Sequence, residues 1–325
     1  MKRFQKILVI IDQNERKQPG LARALQMQHA AETEITLFTN VYDSSIESSF
    51  ILDPHNLDAV KRSLIDYQTK KLTQLSINNE VANVTFEQKV VWQESAYISD
   101  LTMVDDYQPD LVIKSCRPDN SLNLWLFNSS CSQLLKACPC PILFVKNEFL
   151  NTNGTVIAAV DPGHKLSQTS QLDSNVLHAG LTMSSSLHIP LHACHCFDPS
   201  YWDVFLQAVK SADIWTDVFP ANPDADNQHV LTELKEHHYQ MFTDTCTELV
   251  PHAENRHFIN GSVEDEIPEL ASKLRASVVV LGTTYRTGLL GSSAEKILEN
   301  VEIDLLVVKP FGFESPLLLN ETPTA

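Results

Sequence analysis

The chain carries the same long pattern twice. Thr155-Val-Ile-Ala-Ala-Val160-Asp161 matches Ile7-Leu-Val-Ile-Ile11-Asp12, each an apolar run closed by an aspartate. Ala276 to Leu281 likewise matches Asp110 to Lys114, and Ile303 to Lys309 matches Cys140 to Lys146. The period is far longer than the roughly 20 to 50 residues of a solenoid repeat, so each copy is a domain in its own right.

Within the first copy, short apolar runs alternate with helical periodicity. Strands are expected over 6–11, 35–42, 84–92, 111–114 and 142–145, with helices over 20–32, 57–77, 95–106 and 129–136. Strands joined through helices at this spacing require right-handed crossovers and a parallel sheet. The fold class expected is therefore α/β, two tandem doubly wound domains with five-stranded parallel sheets. The polar stretch Lys146 to Gly154 reads as the linker. It divides the chain into 1–150, 151–312 and a poorly ordered tail, 313–325.

Composition narrows the functional classes. The 325 residues suffice for two cores, and 43% of them are apolar. The apolar runs Ile7 to Ile11 and Val278 to Leu281 are much too short to span a bilayer. The basic start, Met1 to Lys6, leads straight to Asp12 with no small-residue cleavage site, so it reads as a first strand in a cytoplasmic protein. Seven cysteines, an odd number without a C-x-x-C pair, read as free thiols in a reducing compartment. A formal charge of −17 opposes nucleic acid as a partner, and any bound phosphate has to be held by local backbone N–H groups.

Glycine separates the two copies. Of nine glycines, only Gly20 precedes Gly154. A loop that wraps phosphate needs residues able to approach closely and to adopt positive φ, which the first copy lacks. In the second copy Gly282-Thr283-Thr-Tyr285-Arg-Thr-Gly288-Leu-Leu-Gly291-Ser292-Ser293 follows a buried strand and leads into a helix that Ser292 or Ser293 can cap. That junction puts backbone donors at the carboxyl edge of a parallel sheet, where such sheets bind ligands. A plain strand-to-helix turn using glycine for tight packing is the competing reading.

These residues resemble the universal stress protein family, and the tandem layout resembles its two-domain members over Phe4 to Phe311. The family pattern is a strand ending in Asp, then a loop G-x-x-G-x9-G-[ST] after the fourth strand. The resemblance implies that Asp161 contacts an adenine and that Cys196 lies along the base. It assigns Gly282, Thr283, Gly288, Gly291, Ser292 and Ser293 to the phosphate loop of a site for ATP or AMP, with Mg accompanying ATP. Tyr285 stands at the second glycine, with five residues rather than nine between it and Gly291. In the first copy Asp12 and Val41 take the base-contacting positions, while Lys114-Ser-Cys-Arg-Pro-Asp-Asn replaces the glycine loop. The resemblance further implies a pseudo-dimer of the two domains, in which the sheet edges near Ile142 to Val145 and Leu305 to Val308 pair with or cover one another, and a homo-oligomer is a further partner to expect, since family members act as dimers or tandem scaffolds.

Other features have plainer readings. His192, Cys194 and Cys196 alternate along a strand expected over Leu187 to Phe197, which invites metal, but strand cysteines are usually buried small hydrophobes. His195 reads as a core or edge histidine, and Cys138-Pro-Cys140 as a loop leading into a strand. Glu264, Asp265 and Glu266 offset the positive end of a helix. Neither G-x-S-x-G nor G-x-x-x-x-G-K-[ST] occurs, so no catalytic residue and no metal ligand is assigned. Three functions fit. The first is a non-catalytic stress-response protein binding an adenine nucleotide or another small ligand in the second domain. The second is a slow ATP hydrolase, and the third a ligand-free scaffold whose aromatic segment, Tyr201 to Asn227, covers an apolar pocket or docks a partner.

Overall fold

A computed structural model describes residues 4–13, 15, 17–27, 32–48, 53–116, 129–162, 167–212, 218, 227–283, 297 and 301–315. The first copy contains β1 (Lys6–Ile10), α1 (Pro19–Gln26), β2 (Thr33–Asn40), α2 (Ser44–Glu47), α3 (Pro54–Asn78), β3 (Val84–Val91), α4 (Ala96–Tyr107), β4 (Leu111–Ser115), α5 (Ser129–Ala137) and β5 (Ile142–Val145). The second contains β6 (Val156–Ala159), α6 (Ser167–Leu187), β7 (Leu191–Phe197), α7 (Ser200–Ser211), α8 (Asn227–Cys246), β8 (Arg256–Asn260), α9 (Val263–Lys273), β9 (Val278–Gly282) and β10 (Asp304–Val308).

The ten strands form one sheet in the order β3-β2-β1-β4-β5-β10-β9-β6-β7-β8. Every neighbouring pair is parallel except β5 and β10, where Phe144 faces Leu305 and Ile142 faces Val307 in antiparallel register. The two edges expected to meet do so. Each five-stranded half thereby loses one exposed edge, and the strand at the seam is buried on both faces.

Alternation along each strand builds two cores. Ile7, Val9 and Ile11 point to one face with Val156 and Ala158, where α1, α6 and Phe242 of α8 cover them. Leu8 and Ile10 point to the other with Val279 and Leu281, beneath α4, α5 and α9. Both cores cross the seam.

Several boundaries differ from the sequence reading, among them the first helix, expected to Glu32 but ending at Gln26. The strand expected from Leu187 begins at Leu191, because α6 runs through Leu187 and stops where His188 turns left-handed, φ 57°, ahead of Pro190. The tail begins ordered, with the Phe313 ring 5.0 Å from the Lys309 ammonium and Ser315 buried. Residues 316–325 lie outside the described set.

Candidate functional site

The second copy opens a crevice of about 210 Å³ at the carboxyl ends of β6, β7 and β9. Ala159, Val263, Ile267, Leu281 and Ile297 are among its apolar walls, and Asp161, His195, Cys196 and Gly282 also line it. The volume is below the roughly 300 Å³ lower end of small-molecule pockets and suits a flat heterocycle better than a whole extended ligand.

Each polar member is held by the fold. Asp161 follows β6; its backbone N–H donates to Asp173 on α6, 2.8 Å away, and its own side chain is 57% exposed. His195 is buried between Val160 O, 3.0 Å from Nδ1, and His238, whose Nδ1 is 3.3 Å from Nε2. Burial pushes the Cys196 thiol up to about 12, and the carboxylates of Glu266, Asp161 and Glu264 push the same way. Cys196 therefore meets a ligand as a protonated, weakly polar surface.

Asp161, Cys196 and Gly282, singled out from the sequence, line this one crevice. Thr283 does not, because its hydroxyl accepts from Lys309 Nζ at 2.6 Å. Gly282 also packs tightly: a Cβ there would lie 2.6 Å from Leu172 Cγ of α6. Tight packing thus accounts for this glycine without a phosphate. Gly288, Gly291, Ser292, Ser293 and Tyr285 fall outside the described residues.

Sheet register makes the two copies comparable position by position. Ile7 sits opposite Ile35, and Val156 opposite Leu191, so Asn40 is the counterpart of Cys196 and Val41 lies one residue further on. Asp12 does occupy the same station as Asp161, directly after the residue that continues β1. Leu281 and Lys114 are also equivalent, facing Ala159 and Ile10. Ile267 and Asp100 are each the fifth residue of a helix N-capped by serine, α9 after Ser262 and α4 after Ser95. Two apolar wall residues of the second copy are thus replaced in the first by an ion pair. Lys114 Nζ lies 2.9 Å from Asp100 Oδ2, which also accepts from Ser130 at 3.1 Å.

The wall residues Val263 and Ile267 are additions to the sequence reading. Their spacing of four on one helix face after a serine cap was the available signal. His192 pairs with His257, Nδ1 to Nε2 2.9 Å, with the rings stacked and burial holding both below the usual imidazole value. Among the described residues no three His, Cys, Asp or Glu side chains form a metal-holding group, and no helix is long and apolar enough to cross a membrane.

Comparison with known proteins agrees with this architecture. A profile of the Universal stress protein family matches residues 3–146 and again 155–309. The chain is 28% identical over 326 residues to Universal stress protein E of Salmonella typhi, covering 99% of both chains. It is 26% identical to Universal stress protein E of Escherichia coli strain K12 with the same coverage. The crystal structure of a putative universal stress protein from Pseudomonas aeruginosa UCBPP-PA14 shares the fold, with TM-score 0.70 at 21% identity over 94% of each chain. With one family domain in each half, their sheets fused at β5 and β10, the chain belongs to the universal stress protein family.

Proposed function

We propose that this protein is a non-catalytic, cytoplasmic stress-response protein that binds an adenine nucleotide or a related flat heterocycle in its second domain, residues 151–312. The observation that carries the reading is the crevice itself, with apolar walls and one exposed carboxylate at the end where parallel sheets take ligands. A base would lie between Ala159, Ile267 and Leu281, along the neutral Cys196 thiol. Asp161 would accept from an exocyclic amine. Gly288, Gly291, Ser292 and Ser293 would hold the phosphates of ATP or AMP through backbone N–H groups, with Mg²⁺ accompanying a triphosphate. The first domain, residues 1–150, completes the fused pair and carries an ion pair in place of the crevice wall.

Titration calorimetry of the intact chain with ATP, ADP and AMP tests the reading. At least one nucleotide is expected to bind, and Asp161→Ala and Gly291→Val to weaken it. No heat and no equilibrium-dialysis retention for any of the three would overturn it.

A further inference from the structure

The loop between α5 and β5 sets two thiols against each other. α5 ends at Ala137, and the Cys138 N–H closes its last turn on Leu134 O at 2.9 Å; Pro139, with no N–H to give, carries the chain out of the helix. The backbone bends at Pro139 and Cys140, and Pro141 joins the sheet by accepting from the Val112 N–H at 2.9 Å. Cys140 is thus framed by two prolines whose φ is locked, in a loop tied to a helix at one end and to a strand at the other. The bend brings Cys138 Sγ to 3.6 Å from Cys140 Sγ and to 3.4 Å from Cys140 O, to which it donates. Cys138 is wholly buried and Cys140 only partly, so the pair is approached past the Cys140 sulfur.

β5 runs antiparallel to β10 with Ile142 opposite Val307, and that register carried two residues outward sets Cys140 level with Lys309. The Lys309 ammonium bonds Leu135 O, 2.8 Å away in the last turn of α5. Register and hydrogen bond together place a positive charge beside the two thiols.

We propose that Cys138 and Cys140 are a binding site for monovalent copper, which the two sulfurs hold as a two-coordinate bis-thiolate. Soft thiolate sulfur selects monovalent copper over harder ions. Zinc in a structural site takes four ligands, and among the described residues no third His, Cys, Asp or Glu side chain joins this pair. Monovalent copper is satisfied by two. Binding is an exchange without electron transfer: each S–H gives up its proton to solvent, two S–Cu bonds form, and copper keeps its oxidation state. Two thiolates and one cation leave a single negative charge, which the Lys309 ammonium offsets. The prolines hold the sulfurs together before any ion arrives, so little ordering of the loop opposes binding.

The test loads the full reduced chain anaerobically with ascorbate-reduced copper and challenges it with bicinchoninate as a competing chelator. One copper per chain is expected to stay bound, with X-ray absorption showing two sulfur neighbours. Cys138→Ser and Cys140→Ser are each expected to release it, and Cys116→Ser to retain it. A measurement without variants guards against misfolding. Copper is expected to slow N-ethylmaleimide alkylation of Cys140 in the unsubstituted chain at least about tenfold, because a metal-bound sulfur is no longer a free nucleophile. Loss of all copper to bicinchoninate, a third or fourth sulfur neighbour, retention by the Cys138→Ser/Cys140→Ser double variant, or protection confined to other cysteines would overturn the proposal.

Discussion

Arg23 on α1 and Asp304 at the head of β10 form an ion pair across the seam, Nη1 to Oδ2 2.5 Å, with each side chain 1% exposed. Burial drives both partners toward neutrality, lowering Arg23 and raising Asp304 to about 6 against the pull of Arg23 and of the Lys146 and Asn147 N–H groups. Desolvation therefore outweighs the attraction, and the pair specifies how the halves meet more than it stabilises them. Breaking it differs from removing it. Asp304→Asn leaves a buried guanidinium without its counter-charge, held by neutral acceptors such as Gln26 Oε1 and Asn147 O, and is expected to cost about 3–5 kcal/mol. Arg23→Met/Asp304→Asn keeps an acceptor for the Lys146 N–H and is expected to recover most of that loss in urea unfolding.

Reciprocal lysines reinforce the same seam. Lys146 of the first copy reaches Val301 O of the second, and Lys309 of the second reaches Leu135 O in the last turn of α5, 2.8 Å away. Burial lowers Lys309 to about 8 from an ordinary 10.5. Between those values the unfolded chain holds more protons than the folded one, so stability rises with pH in that window. Below about 8 both states are protonated and the full burial cost weighs on the fold. Urea unfolding is expected to show the wild type gaining on the order of 2 kcal/mol relative to Lys309→Met between pH 7.5 and 9.5. Parallel pH dependences would contradict this.

Gly282 and Leu172 make a second testable contact. Because an added Cβ would lie 2.6 Å from Leu172 Cγ, Gly282→Ala is expected to cost about 1–3 kcal/mol through overpacking. Leu172→Ala alone leaves a cavity, but the double variant lets the new methyl occupy part of it. The two losses are thus expected to be sub-additive in a double-mutant cycle, and strict additivity would mean that the glycine serves another purpose.

The duplication made the architecture legible, because continuous apolar runs closed by Asp12 and Asp161 mark equivalent strands in each half. The seam at Ile142 to Val145 and Leu305 to Val308 was expected from the resemblance to tandem family members, and both runs are apolar on both faces, as a strand buried within a sheet is. Of the residues singled out from the sequence, Asp161, Cys196 and Gly282 line one crevice, whose apolar walls the sequence did not mark. Ile267 on α9 and Leu281 on β9 look like ordinary core residues until the packing of that helix on the sheet brings both to one crevice. Thr283 was assigned by chain proximity to Gly282, yet its hydroxyl is taken by a lysine 26 residues along the chain, a contact that no local pattern encodes. Arg23 and Asp304 are separated by 281 residues and were equally silent.

The difference between the halves can be tested by exchange. Lys114 and Asp100 stand in the first copy where Leu281 and Ile267 wall the crevice in the second, and the charged pair is held 2.9 Å apart with Ser130 as a third member. Carrying the pair across as Ile267→Asp/Leu281→Lys places a lysine and a carboxylate where a flat heterocycle would rest, and a ligand could enter only by desolvating both. Nucleotide binding by the wild type is expected to fall at least about tenfold, equivalent to about 1.4 kcal/mol, with far-ultraviolet circular dichroism unchanged. The converse change isolates the energetic role of the first-copy pair. Lys114→Met leaves Asp100 buried with Ser130 as its partner among the described residues and is expected to destabilise the chain by about 3–5 kcal/mol, whereas Asp100→Ile/Lys114→Leu restores the second copy's apolar pairing and much of that loss. If both variants unfolded at the same urea concentration, the ion pair would not be the replacement for an apolar wall that the register implies.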